Sequence, residues 1–245
     1  MNRAAVIPSY VAWAVTPFLL ADVASAMEGD DGELPLSGSV AIASDYVFRG
    51  ISQTLGSPAL QASVDLQFDN GFYAYAWGSN VDFYPAAEPD DGARSEINIA
   101  AGYAAQLGDR WSVDVSLVHY LFPSTHEDID YDYNELISTL CFDDRLSASL
   151  GYSNSVDGTD SESWFSELGY VFSLPRDVAF EVAYGYYDLS NAYGSGYGYA
   201  RADVTRDFAA AQVTLSYYET FGGADNIFFE QASDSRFVVS ILLNF

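Results

Sequence analysis

The chain contains no lysine. All nine of its cationic residues are arginine, set against 35 Asp and Glu, and the formal net charge over 245 residues is −26. Nucleic-acid recognition needs cations to neutralise phosphates, so this balance excludes it and predicts instead attraction of cations or divalent ions. Cys141 is the one cysteine, so no intrachain disulfide can form, and it reads as a small packing residue. Histidine is limited to His119 and His126. No nucleophile stands at a spacing that singles out a triad with either, and the chain reads as a non-enzyme. The run Asp128, Asp130, Asp132, Asn134 alternates like a calcium loop, yet Tyr133 stands where the sharp turn of such a loop needs glycine. No metal and no cofactor is expected. Beyond residue 26 there is no uninterrupted apolar run of the roughly 18 residues that a spanning helix needs. If the chain crosses a membrane, it does so as strands.

The N-terminus, MNRAAVIPSYVAWAVTPFLLADVASA, has an early cation at Arg3, an apolar stretch through Leu20, and Ala24-Ser25-Ala26 ahead of Met27. That is the pattern of a secretory signal peptide cleaved between Ala26 and Met27. Pro8 and Pro17 interrupt it, against the rival reading of an uncleaved anchor helix. Cleavage removes Arg3 and Asp22, leaving 219 residues with eight arginines, 34 acidic residues and an unchanged net charge of −26. Residues 27–37 read as a periplasmic N-terminal segment, and 38–245 as one all-β domain, a length such domains reach undivided. Aromatics at 16% exclude low-hydrophobicity disorder.

The dominant period is two. Pro58, Leu60, Ala62, Val64, Leu66 and Phe68 alternate with Ala59, Gln61, Ser63, Asp65 and Gln67. The pattern restarts beyond Asp69-Asn70-Gly71, an Asn-Gly hairpin signal, where Tyr73, Tyr75, Trp77, Val81 and Phe83 read as the apolar face. The same grammar continues to Phe237, Val239, Ile241, Leu243 and Phe245, and twelve strands result if the first covers 38–48. Short turns at 69–71, 108–110, 143–145, 174–177 and 207–210 alternate with longer loops at 51–57, 85–93, 123–131, 155–161, 188–198 and 220–234. An even number of up-and-down strands, with short turns on one side and long loops on the other, predicts an antiparallel transmembrane β-barrel. A soluble sandwich or lipocalin-like barrel alternates similarly but would carry charge on its outside. Here the apolar parity is almost free of charge.

On the barrel reading, Tyr46, Phe48, Phe68, Tyr73, Phe83, Trp111, Trp164, Phe172, Phe237 and Phe245 are girdle aromatics at the lipid interfaces. The polar parity predicts an interior lined by Asp45, Arg49, Gln61, Asp65, Asp82, Arg94, Glu96, Asn98, Asp114, Glu135, Glu167, Glu181, Arg201, Asp203 and Arg236. Acidic rings favour cations and arginine clusters favour anions, so nine carboxylates against four arginines predict a weak to moderate cation preference. The other reading of those charges is that they pair across the bore and hold a narrow barrel shut. In the first strand Asp45 and Arg49 share the inward face about 13 Å apart, too far to pair with each other.

The stretch Ser44-Asp45-Tyr46-Val47-Phe48-Arg49-Gly50-Ile51-Ser52-Gln53-Thr54, followed by Pro58-Ala59-Leu60-Gln61 and a terminal Phe245, resembles the TorF-type porin family of proteobacterial outer-membrane proteins. The resemblance implies an outer-membrane barrel with channel activity. Expected partners are outer-membrane lipid, small ions or solutes, and the barrel-assembly machinery through the strand ending Phe245. The alternatives are a closed structural or adhesive barrel and, more remotely, a barrel-embedded hydrolase.

Overall fold

Alternating runs rich in Val, Ile, Leu, Tyr and Phe suit a pleated, half-buried surface. In the computed structural model these runs build the wall: β1 (Leu36–Ala43), β4 (Ala59–Gln67), β5 (Phe72–Asn80), β6 (Ser95–Gln106), β7 (Trp111–Leu121), β8 (Tyr133–Phe142), β9 (Leu146–Ser153), β10 (Ser163–Leu174), β11 (Val178–Asp188), β12 (Tyr197–Phe208), β13 (Ala211–Phe221) and β14 (Arg236–Asn244). Two further strands, β2 (Val47–Phe48) and β3 (Ile51–Ser52), form a separate hairpin, and short helices α1 (Ser190–Tyr193) and α2 (Glu230–Ser233) sit in loops. The structure describes residues 35–86, 88, 91–126, 128–156 and 158–245. The signal segment with its Ala26–Met27 junction, and residues 27–34, lie outside them.

Each wall strand pairs antiparallel with its neighbour, and β1 closes the ring by pairing with both β4 and β14. The result is a closed twelve-stranded antiparallel barrel. The turns at one end are tight. Asp143 and Asp144 both adopt positive φ, 53° and 54°, and the Arg145 N–H donates to the Phe142 carbonyl at 3.1 Å. Two left-handed central residues match the right-handed twist of the strands they join. Beside this turn Arg110 donates to Asp143 at 2.7 Å through Nε, and that bond holds the Asp143 carboxyl below the usual carboxylate range.

The outside of the wall is apolar. Val64, Ile99, Leu117, Leu136, Val182 and Leu215 are all exposed toward the middle of their strands. Aromatic pairs flank this band: Phe72–Tyr103 and Trp111–Phe142 toward the short turns, Tyr152–Trp164 and Tyr217–Phe237 toward the long loops. Phe68, Trp111, Trp164, Phe172, Phe237 and Phe245 are exposed on this outer surface. A band of this kind suits a bilayer rather than water.

Two expectations are overturned. The first strand ends at Ala43 rather than running to 48, and the chain then turns inward. In β5 the parity is reversed. Phe72, Ala74, Ala76 and Gly78 take the outer side, while Tyr73 is 4% exposed, its hydroxyl donating to Asp114 at 3.1 Å inside the barrel. Tyr73 is therefore an interior residue, not a girdle aromatic. The space for its ring comes from its cross-strand partner Gly102, where an added Cβ would lie 2.3 Å from the ring. Phe165 over Gly151 and Tyr199 over Gly185 repeat the arrangement. Large rings can lie inward because the facing strand has no side chain beneath them.

An arginine placed on the outer face should expose which medium that face meets. Ile99→Arg is expected to destabilise the barrel by about 2–4 kcal/mol in lipid vesicles, read by urea unfolding. An unchanged midpoint would mean that lipid does not cover the wall.

Candidate functional site: the barrel interior

The residues after β1 fold into the bore as a two-residue hairpin. Val47 pairs with Ser52 and Phe48 with Ile51, leaving Arg49 (φ 49°) and Gly50 (φ 83°) at the turn. Both central positions are left-handed, the geometry of a tight hairpin turn. Holding a non-glycine residue there costs about 1–3 kcal/mol, so the surroundings must fix Arg49 firmly. They do. Arg49 Nη2 donates to Glu135 Oε2 at 2.8 Å, and its guanidinium lies 3.6 Å from the Phe165 ring centroid, 4.5 Å from Phe48 and 4.6 Å from Tyr187. Glu135, Phe165 and Tyr187 belong to β8, β10 and β11, the side of the ring opposite β1 and β4. The hairpin thus spans the bore. Gly50 meets the wall at β12 and β13 so closely that an added Cβ would lie 2.7 Å from Thr220 Cγ2 and 2.9 Å from Tyr199 Cβ.

The base of the hairpin is tied by Asp45. Its carboxylate accepts from Ser52 Oγ at 2.6 Å, Thr54 Oγ1 at 2.7 Å and Arg236 Nη1 at 2.7 Å. Around the plug, on the long-loop side, an aromatic and aliphatic core fills the interior: Ile51, Val118, Tyr120, Tyr133, Leu189 and Tyr197 are all at most 7% exposed. Tyr120 and Tyr133 stack with planes 6° apart and centroids at 4.3 Å, and Tyr120 also donates to Glu135.

Toward the short turns the interior is polar. Arg201 gathers three carboxylates: Asp203 at 2.5 Å, Glu181 at 2.8 Å and Glu167 at 3.7 Å. Asp65 accepts from Ser63 and Asp114 from Tyr73, while at the long-loop end of β6 Glu96 accepts from Asn98 at 2.9 Å and Tyr46 at 3.3 Å. None of the ion pairs among the described residues involves Asp65, Glu96 or Asp114. Gln61 and Asn98 are buried on the same inward faces.

Several sequence-predicted residues stand elsewhere. Asp82 and Arg94 are not in the bore. They lie in the β5–β6 loop with half-exposed side chains 3.8 Å apart, because β5 presents the opposite parity and ends at Asn80. Tyr46, Phe48 and Phe83 are interior rather than girdle residues. Tyr46 is 7% exposed and packs edge-on against Trp77, Phe48 belongs to the plug, and Phe83 packs edge-on against Phe122 and Tyr131. His119 faces outward with Nδ1 3.1 Å from the Asn134 Oδ1. In the acidic loop Asp130 accepts from the Asp132 N–H and Asp132 from the Phe122 N–H, so these oxygens bind their own backbone. A search for polar side chains alone does not reveal the interior aromatics Tyr120, Tyr133, Tyr187 and Tyr199, though Tyr133 shares parity with Glu135, and Tyr199 with Arg201. Following the polar parity through to the strand ends finds them.

Comparison with known proteins agrees with this architecture. The family described as "Bacterial protein of unknown function (Gcw_chp)" matches residues 27–244. Among solved structures, the KdgM porin superposes with a TM-score of 0.53 at 10% identity, over 85% of this chain and 99% of that one. The KdgM porin in complex with disordered oligogalacturonate superposes at 0.51 with 9% identity, over 86% and 98%. At such identities the likeness is one of fold. No curated protein matches the sequence.

Removing one partner of the Arg49–Glu135 pair strands a buried charge. Arg49→Met is expected to cost about 3–5 kcal/mol in urea unfolding, and the double variant Arg49→Met, Glu135→Leu to recover most of it. A single-variant loss under about 1 kcal/mol would mean the pair does not anchor the plug.

Proposed function

The chain belongs to the Gcw_chp family of bacterial proteins, and from that premise we propose that it is an outer-membrane channel of a Gram-negative cell. It passes small ions or solutes by diffusion, with a preference for cations. On this reading residues 1–26 are the export signal, lipid surrounds the apolar wall, and the barrel-assembly machinery receives the strand ending Phe245. The resemblance of Ser44–Thr54 to the TorF-type porins and the fold likeness to the KdgM porin support it.

One observation carries the cation preference. Among the described residues, eight carboxylates stand inside the barrel, on Asp45, Asp65, Glu96, Asp114, Glu135, Glu167, Glu181 and Asp203, against three guanidinium groups, on Arg49, Arg201 and Arg236. Each of those arginines is already ion-paired. The surplus is negative, and acidic rings favour cations. A polyanion such as the oligogalacturonate of the KdgM complex would meet no unengaged guanidinium among these three.

The hairpin across the bore favours a second reading, a closed structural barrel, because any flow must pass the plug. Planar-bilayer recordings of refolded residues 27–245 under a KCl gradient separate the two. Discrete steps with a cation-sided reversal potential are expected. Asp65→Asn with Asp114→Asn should move that potential toward zero, and Arg49→Ala should raise the conductance and strengthen the cation preference. Anion-sided steps would overturn the selectivity, and a folded, heat-modifiable barrel without steps would leave the closed reading.

A further inference from the structure

Above the plug, beneath the long loops, lies a cavity of about 430 Å³. Its size falls within the range of small-molecule sites, roughly 300–1,000 Å³. Eleven of the eighteen described residues that line it are aromatic, Glu96 is the only charged one, and none is arginine. Tyr133, Tyr187 and Tyr197 form part of its wall. Phe228 and Phe229, from the β13–β14 loop, line it on the loop side, where Phe229 packs edge-on against Tyr84.

The combination has a counterpart inside this same molecule. The Arg49 guanidinium is held by a carboxylate and a set of rings, with Glu135 at 2.8 Å and Phe165, Phe48 and Tyr187 around it. The cavity repeats that chemistry, with Glu96 as the carboxylate, and shares Phe48 and Tyr187 with the occupied arrangement. No cationic side chain of the described residues enters it. Ring faces attract cations, most strongly when both are out of water.

We propose that this cavity is a binding site for a small organic cation, an ammonium group carried on an apolar or aromatic body. The ammonium meets Glu96 and the tyrosine rings, and the body fills the space between Phe122, Phe228 and Phe229. A bare metal ion is a poor fit, because one carboxylate among rings cannot replace its hydration shell. An anion meets only the Glu96 charge. The acidity of the whole chain concentrates cations near the loops that surround the site. The inference does not rest on conduction.

Isothermal titration calorimetry of the refolded barrel tests it. The probes are 2-phenylethylammonium, the near-isosteric neutral 2-phenylethanol, and the anion 3-phenylpropanoate. The cation is expected to bind about tenfold more tightly than the alcohol, and the anion not measurably. Glu96→Gln should erase the preference for the cation. Phe229→Ala, at a half-exposed loop position that leaves the wall intact, should weaken both the cation and the alcohol about fivefold. Equal binding of cation and alcohol in the unmodified protein would overturn the proposal. So would a preference that survives Glu96→Gln, or cation binding unaltered by Phe229→Ala. Binding without conductance would keep this site and remove the channel, and conductance without binding would do the reverse.

Discussion

A single buried guanidinium organises the interior of this barrel. Arg49 sits at the tip of a hairpin that starts on one side of the ring and ends on the other, where Glu135, Phe165 and Tyr187 receive it. A charge placed there without partners would be expelled to water. With a carboxylate and three rings around it, it becomes the point from which the rest follows. The left-handed turn at Arg49 and Gly50 is tolerated because the tip is fixed on every side. Asp45 ties the hairpin's base to its own Ser52 and Thr54 and to Arg236. The tyrosines around the plug pack where an open bore would hold water.

This inverts the usual relation between core and surface. The outside is apolar and exposed, as suits a bilayer, and the inside holds charges, each buried carboxylate answered by a hydroxyl, an amide or a guanidinium. The interior is nevertheless not uniform. Its short-turn half is a polar wall of Ser, Thr and carboxylates, while its long-loop half is an aromatic core of the kind a soluble domain would bury. One barrel therefore contains both a polar compartment and an aromatic one, with the hairpin between them.

How much of this was legible depended on whether the signal was local. Strands and tight turns were, since alternation and Asn-Gly or Asp-Asp turns act over a few residues. Inward positions such as Gln61, Asp65 and Asp114 followed from parity alone. The β5 face did not. Its aromatics Tyr73, Tyr75 and Trp77 point inward, and the ring of Tyr73 has room because Gly102, about thirty residues on, faces it. Alternation extended through Tyr46 and Phe48 likewise implied a continuing strand, while the actual path depends on Glu135, 86 residues away. Nothing near Arg49 announces that partner. The arginine-glycine pair carries half a turn signal, since glycine favours positive φ and arginine does not.

The seam between β1 and β14 has five register pairs, whereas the other neighbouring strands share seven to eleven. The Asp45–Arg236 ion pair lies directly above it, joining the residue that begins β14 to the base of the plug. Ser44 and Val239 bond across the same gap. Withdrawing the hairpin would therefore unfasten the shortest join in the cylinder. Because such couplings are reciprocal, a force or lipid defect that parts these two strands also loosens the plug. Occupancy of the bore and integrity of the wall are in that sense one mechanical variable.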